Sequence, residues 1–174
     1  MCDYASLRSP ALSVPQDEFA RARFCLEPDI VLYNPERHHA LAALHGENLG
    51  VACLSFMAWA LGWLGYAEQA RQRLHAALSL AQELRHPYSL ARPLLSAAIL
   101  HQLWGKERSA QEYAEAIITM ASERGFPVWA MFGKIMRGWA LATQGEGEQG
   151  IAQIQQGFNT AALREAKALL VELV

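Results

Sequence analysis

Two groups of residues in this sequence have types that could support chemistry. Residues 145–150 read "GEGEQG" and match the G-x-G-x-x-G pattern of dinucleotide loops. That loop needs a β-strand before it, and glycine N–H groups turned toward a pyrophosphate. Here an apolar stretch with helical spacing comes first, and Glu146 and Glu148 would repel phosphate. We expect no nucleotide site.

The second group is titratable. His38, His39 and His45 are the densest histidines, but adjacent helical positions point about 100° apart, and no cysteine or aspartate stands at ligand spacing. We expect a polar helix face there and no metal site. Glu112 and Glu115 could suggest acid–base work, although a solvated helix face is the better interpretation. No aspartate occurs from Ile30 onward, which excludes an aspartate-dependent triad in that region.

The composition fits a single soluble domain. The 174 residues are 52% hydrophobic, with 15 basic and 17 acidic side chains and a formal net charge of −2. This balance gives no electrostatic reason to expect nucleic acid or an anionic membrane as partner. Cys2, Cys25 and Cys53 are an odd number without close pairs, which favours reduced thiols and a cytoplasmic protein. We expect no cofactor.

The elements that position these residues repeat along the chain. Three segments align without gaps at a spacing of forty residues, with Gly65, Gly105 and Gly145 in register. A fixed period of about 20–50 residues is typical of stacked-repeat proteins. Each unit reads as an apolar helix A ending near the glycine, and a more polar helix B. Pro87 and Pro127 suit the first turn of the next helix A.

Small residues occupy two of the aligned positions in every unit. We expect helices A and B to cross at these residues, because small side chains allow close approach of the two backbones. The residues are Ala58, Ala98 and Gly138 on helix A, and Ala70, Ala110 and Gly150 on helix B.

The repeat also explains an uncharged stretch, residues 49–67, that is about as long as a membrane-spanning helix. The equivalent stretches in the next two units contain Arg92 and Lys134, so we expect a buried helix A instead of a membrane span. His101 occupies the position of Leu61 and Leu141. It should therefore be a partly buried, hydrogen-bonded core histidine.

Several motifs resemble one known family. "LYNPERHHALAALHG", "GVACLSFMAWALGWLGYAEQA", "LRHPYSLA" and "RGFPVWAMFGKIMRGWALA" resemble the tetratricopeptide-like array that follows the ATPase module in bacterial signalling fusions with adenylate or guanylate cyclase, or with serine/threonine kinase. The resemblance covers about residues 17–160. It implies an α-solenoid for protein interaction or signal integration, without chemistry. The sequence departs from the family at "GENLG", where the family has an acidic "GHDPG"-like turn. The array also normally continues further, and the ATPase and cyclase parts are absent.

These observations predict an all-α protein of six or seven helices, built as an α-solenoid of tetratricopeptide-like helix-turn-helix repeats with a forty-residue period. Residues 1–14 are expected to be disordered. Residues 15–174 should form a single helical-repeat domain. Its parts are an irregular first unit at 15–50 and repeats at about 51–86, 87–126 and 127–174.

The predicted function is a non-enzymatic scaffold that binds a protein or peptide segment in a concave groove. In tetratricopeptide-like stacks the A helices line that groove, and aromatic anchors beside polar groups suit peptide binding. A small-molecule effector sensor using the same groove is the alternative, and ordinary packing between repeats would also explain the tryptophans. The candidate partner-binding residues are Trp59, Trp63, Arg92, Gln102 and Trp139, within a wider groove set that includes Ser55, Leu95 and Phe132.

The end of the chain reads "TAALREAKALLVELV". If the last helix B continues through it, Leu163, Leu170 and Leu173 extend one apolar stripe. Exposed apolar surface of this kind usually marks an association site, so one hypothesis is a two-fold homodimer through this helix. The alternative is a tail that folds back and caps its own repeat.

Overall fold

The computed structural model describes residues 16–33 and 47–159, and in these two ranges it contains seven α-helices and no β-strand. The predicted all-α class is confirmed for this part of the chain. The helices are α1 (Gln16–Leu32), α2 (Leu49–Trp63), α3 (Ala67–Glu83), α4 (Pro87–Leu103), α5 (Glu107–Arg124), α6 (Pro127–Thr143) and α7 (Gly147–Phe158).

Local sequence explains where these helices begin and end. Pro87 and Pro127 open α4 and α6, where a missing N–H costs no helical hydrogen bond. Gly65, Gly105 and Gly145 follow α2, α4 and α6 with φ of +87°, +64° and +96°. Only glycine adopts these angles readily. The predicted forty-residue spacing therefore recurs in the turns of the described structure.

Helices α2 to α7 pack in two layers, and successive helices alternate between the layers. Helices α2, α4 and α6 lie side by side and are called the first layer here. Helices α3, α5 and α7, the second layer, pack onto them, and α1 packs against α2. Each apolar helix of the first layer is therefore covered from several sides, which explains its near-continuous hydrophobic sequence.

Small residues make the contact between the layers, as the sequence predicts. Gly138 on α6 crosses Gly150 on α7 so closely that a Cβ added to Gly138 would lie 2.5 Å from the Gly150 carbonyl oxygen. The equivalent alanines of the two earlier units are fully buried. We call these positions the crossing column, namely Ala58, Ala98, Gly138, Ala70, Ala110 and Gly150.

The uncharged stretch at 49–67 is divided between two helices. Asn48 caps α2, its side-chain oxygen accepting the Val51 N–H at 3.1 Å. Helix α2 ends at Trp63, before the Gly65 turn. Among the described residues, no helix has both the length and the apolar character needed to cross a membrane.

Several predictions concern residues outside the described ranges. These are the disordered segment 1–14, the histidines His38, His39 and His45, and the dimer stripe of Leu163, Leu170 and Leu173.

Candidate functional site

The first layer exposes large aromatic side chains on one edge. Phe56 on α2 is 39% exposed and Phe132 on α6 is 37% exposed. Between them, Arg92 is the only charged residue of α4 apart from the titratable His101. Arg92 and Phe132 occupy the same position of the repeat, where α2 has Ala52.

Arg92 is held by a carboxylate and two aromatic rings. Its Nη2 donates to Glu47 Oε2 at 2.7 Å, and its Nε donates to the other carboxylate oxygen, so the pair is bidentate. The guanidinium carbon lies 4.8 Å from the Phe56 ring centroid and 5.6 Å from that of Trp129. A guanidinium at this range is attracted by the electron-rich ring face. Arg92 is therefore fixed in one orientation with its charge balanced.

The ring contacts continue on both sides of Arg92. Phe56 meets Trp59 edge-on, with centroids 5.6 Å apart. Trp129 contacts Phe132 at 6.2 Å. The resulting chain of contacts crosses α2, α4 and α6. We call it the aromatic row, and it consists of Trp59, Phe56, Arg92, Trp129 and Phe132.

A buried polar link lies beside the row. The Asn48 N–H donates to Ser89 Oγ at 3.0 Å, which joins the start of α2 to the first turn of α4. Asn48 and Ser89 are both fully buried. Ser89 Oγ also lies 2.8 Å from His86 Nδ1. This link fixes the backbone that carries Glu47, and so fixes the carboxylate that holds Arg92.

Three buried N–H donors near the row have no acceptor within the described ranges. They are the indole Nε1 of Trp59, the indole Nε1 of Trp129 and the side-chain Nδ2 of Asn48. Trp129 is 5% exposed and Asn48 is fully buried, so bulk water does not reach these groups. Leaving a buried donor unpaired typically costs about 1–3 kcal/mol.

The five sequence-predicted partner residues occupy different places. Trp59 and Arg92 belong to the aromatic row. Trp63 stacks on Phe19 of α1, with centroids 5.8 Å apart and planes nearly parallel, so one of its faces is taken by the chain itself. Gln102 and Trp139 are partly buried. They lie about 15 Å and about 10 Å further along their helices than Arg92 and Phe132.

Sequence reasoning did not single out Glu47, Phe56 or Trp129. Phe56 stands four residues after Ala52 and three before Trp59, which is the spacing of one helical face, so periodicity could have found it. Trp129 follows the same rule relative to Phe132. Glu47 precedes the helix, and no periodic signal points to it.

His101 differs from its expected environment. Burial, together with nearby Lys106, lowers the pKa of His101, and Glu112 opposes this only in part. Its ring stacks on Tyr113 at 5.3 Å. Its Nδ1 is buried with no hydrogen-bond partner in the described part of the chain, although the sequence predicted a hydrogen-bonded histidine. The ring is held by aromatic packing instead.

The other candidate motifs take structural roles. Gly145 forms the turn after α6 and Gly150 lies in the crossing column, with helix α6 preceding them. Within the described residues, no three metal-ligating side chains come together. A cavity of about 370 Å³ at the turn before α5 is lined by Lys106, Glu107, Arg108, Ser109 and Gln144, none of which belongs to the aromatic row.

A comparison with models of known protein families finds no match to this chain, and a comparison with curated proteins finds none either.

Proposed function

We propose that this protein is a non-enzymatic helical-repeat module that binds a protein or peptide segment along its first layer. The observation that carries the proposal is the aromatic row, because it presents the partly exposed rings of Phe56 on α2 and Phe132 on α6, with Arg92 of α4 between them. Aromatic and arginine side chains are the residues that most often dominate binding energy at interfaces. The row lies on a surface, and the described cavity lies elsewhere, so a peptide fits better than a small-molecule effector.

A tetratricopeptide-like solenoid is part of this proposal. It is supported by the forty-residue spacing of the starts of α3, α5 and α7 and of the left-handed glycines Gly65, Gly105 and Gly145. Neighbouring first-layer helices contact one another, whereas few contacts join α3, α5 and α7 within the described ranges. Helices that stay close on one side and spread on the other produce curvature, with the first layer on the concave side. Stacked repeats use such concave surfaces for binding.

The setting we propose is bacterial signalling in the cytoplasm, on the strength of the sequence resemblance. In that setting the module recruits a partner or transmits its binding, and chemistry belongs to other proteins or domains. Several titratable groups among the described residues take part in ion pairs. Glu115, for example, pairs with Arg137 at 3.3 Å.

A peptide-display selection against the folded chain tests the proposal. Binders would be measured against a double variant, Phe56→Ala with Phe132→Ala. The matched control is Phe24→Ala with Leu32→Ala on α1, where the side chains are 78% and 74% exposed. We expect the row variant to weaken binding at least about tenfold, since losing an interface anchor often costs more than about 1 kcal/mol. Selected peptides that bind both variants as well as the parent would contradict the proposal.

A further inference from the structure

The last described unit has an open side. In the earlier units each second-layer helix packs against two first-layer helices: α3 contacts α2 and α4, and α5 contacts α4 and α6. Within residues 47–159, α7 contacts α6 and no first-layer helix follows it. Two large apolar side chains of this unit are exposed, Phe158 of α7 at 53% and Val128 of α6 at 48%. We call these two residues the end face.

The residue equivalent to Val128 one unit earlier is covered by the next first-layer helix. Tyr88 of α4 stands at this position of the repeat and is half-buried. Its ring meets that of Trp129 on α6 edge-on, with centroids 5.6 Å apart. A residue forty positions after Trp129 would therefore cover Val128 in the same way.

The residue equivalent to Phe158 is covered by the same helix. Ile118 of α5 stands at this position and is also half-buried. It packs so closely on α6 that a Cβ built at Gly133 would lie 2.8 Å from Ile118 Cγ1. Phe158 and Val128 thus face the place of a further first-layer helix, and a residue forty positions after Gly133 would cover Phe158.

The sequence after α7 has apolar residues at the positions that such a helix buries. Trp129 and Gly133 are buried at the start of α6, and their equivalents Ser89 and Pro93 are buried at the start of α4. The residues one unit later are Leu169 and Leu173. Burial of leucine side chains against the end face would remove apolar surface of both from water, which is favourable.

The same stretch has its charges at the positions that the first layer leaves open. Pro127 and Phe132 are the exposed positions flanking the buried ones in α6. Forty residues later stand Lys167 and Glu172, which are the charged residues of the segment 166–174. The order of apolar and charged residues in this segment therefore matches the burial pattern of a first-layer helix start.

We propose that residues 166–174 pack on the end face of their own chain as the start of a further first-layer helix, with Leu169 against Val128 and Leu173 against Phe158. The link that leads there, residues 159–165, has the same length as residues 119–125, which join the equivalent positions of α5 and α6. The segment therefore reaches the end face within one chain. Linkage gives it a high effective concentration there, so it outcompetes a second copy. This inference does not depend on the proposed function.

Disulfide formation in the full chain tests the predicted register. The test pair is Phe158→Cys with Leu173→Cys, and the control pair is Phe158→Cys with Glu172→Cys, whose helical direction differs by about 100°. We expect at least about fivefold more intrachain disulfide from the test pair under mild oxidation, because a disulfide requires Cβ atoms about 3.5–4.5 Å apart. The background replaces the native cysteines with alanine, namely Cys2, Cys25 and Cys53.

A second measurement does not depend on cross-linking. Leu169→Glu places a charge at a position that the inference buries, whereas Ala168→Glu places it at the neighbouring position, equivalent to the exposed Val128. We expect Leu169→Glu to lower the melting temperature by at least about 5 °C relative to Ala168→Glu, since burying a charge without a partner is costly. Circular dichroism checks that each variant keeps its helices.

The outcomes decide between the chain's own segment and other occupants. Equal disulfide yields from the two pairs, no intrachain product, or equal melting temperatures of the two glutamate variants would each overturn the inference. Non-reducing electrophoresis separates intrachain from interchain products. Disulfides that join mainly two chains would also overturn it, because the end face would then be covered by a second copy, as in the homodimer hypothesis.

Discussion

The crossing column has similar residues in every repeat unit, whereas the aromatic row has residues that differ from unit to unit. In the crossing column every unit has alanine or glycine, and every member is buried. In the row, equivalent positions differ from unit to unit, with Ala52, Arg92 and Phe132 in one set. Packing imposes the same requirement on each unit, so residues that serve it repeat. Exposed residues that break the repeat are free of that requirement and are the better guides to function.

The largest effect is expected where the crossing column is tightest. Gly138→Val places a branched side chain against the Gly150 carbonyl oxygen, which a Cβ alone would approach to 2.5 Å. Backbone atoms cannot move aside as a flexible side chain does. We expect destabilisation at or beyond the upper end of the usual overpacking range of about 1–3 kcal/mol, measured by urea unfolding.

Gly147→Val is the matched control for this substitution, because a Cβ at Gly147 meets nothing within 4 Å. It should change the free energy of unfolding by about 0.5 kcal/mol or less. Equal effects of the two substitutions would show that the α6–α7 crossing is not tight and would remove the contrast between column and row.

A somewhat smaller effect is expected at the central crossing. Ala98→Leu overfills the contact between α4 and α5, where Ala98 and Ala110 are both fully buried. We expect a loss of about 1–3 kcal/mol in the free energy of unfolding. The exposed Ala152 of α7 supplies the control, since Ala152→Leu adds the same atoms facing solvent. A melting temperature of Ala98→Leu equal to that of the parent would refute the crossing.

The aromatic row should be less sensitive than the column but not inert. Glu47→Gln removes one partner of a partly buried bidentate pair whose side chains are 17% and 22% exposed. We expect the free energy of unfolding to fall by about 1 kcal/mol, since hydrogen bonds to charged groups are stronger than those between neutral groups.

Glu68→Gln tests whether that loss is specific to the row. The Glu68–Arg71 pair is 65% and 58% exposed, and exposed pairs are worth about 0–1 kcal/mol. The free energy of unfolding of Glu68→Gln, measured by chemical denaturation at moderate salt, should be close to that of the parent. If Glu68→Gln costs as much as Glu47→Gln, the row is an ordinary surface.

The two regions also show how far sequence reasoning reaches. The turns at Gly65 and Gly105, the proline starts of helices and the crossing column are set by local geometry that each unit repeats, so alignment reveals them. The exposed edge of the first layer depends on how each helix is rotated. Ser55 and Leu95, predicted to line the groove, are buried instead.

Contacts made by residues that precede the repeat units could not be predicted from the alignment of the units. Phe19 of α1 occupies one face of Trp63, and Glu47, just before α2, pairs with Arg92. Neither contact has an equivalent one unit later, so the periodic pattern of the sequence does not predict it. Tertiary docking of non-repeating segments decides which predicted groove residues remain available to a partner.

The smallest expected effect concerns a departure from the repeat inside the core. His101 stands where the other units have Leu61 and Leu141, and burial lowers its pKa. The unfolded chain, with a histidine pKa of about 6.5, then binds more protons than the folded chain at mildly acidic pH. The stability contributed by neutral His101 is complete above that value and is lost as pH falls below it.

Melting temperatures at pH 7.5 and 5.5 should therefore differ more for the parent than for His101→Leu, which restores the repeat residue. His75→Gln, at an exposed position of α3, is the control for replacing a histidine. If His101→Leu keeps the pH dependence of the parent, His101 does not lower the stability of the folded chain at acidic pH. Differences between units in the core would then be no more costly to stability than differences on the surface.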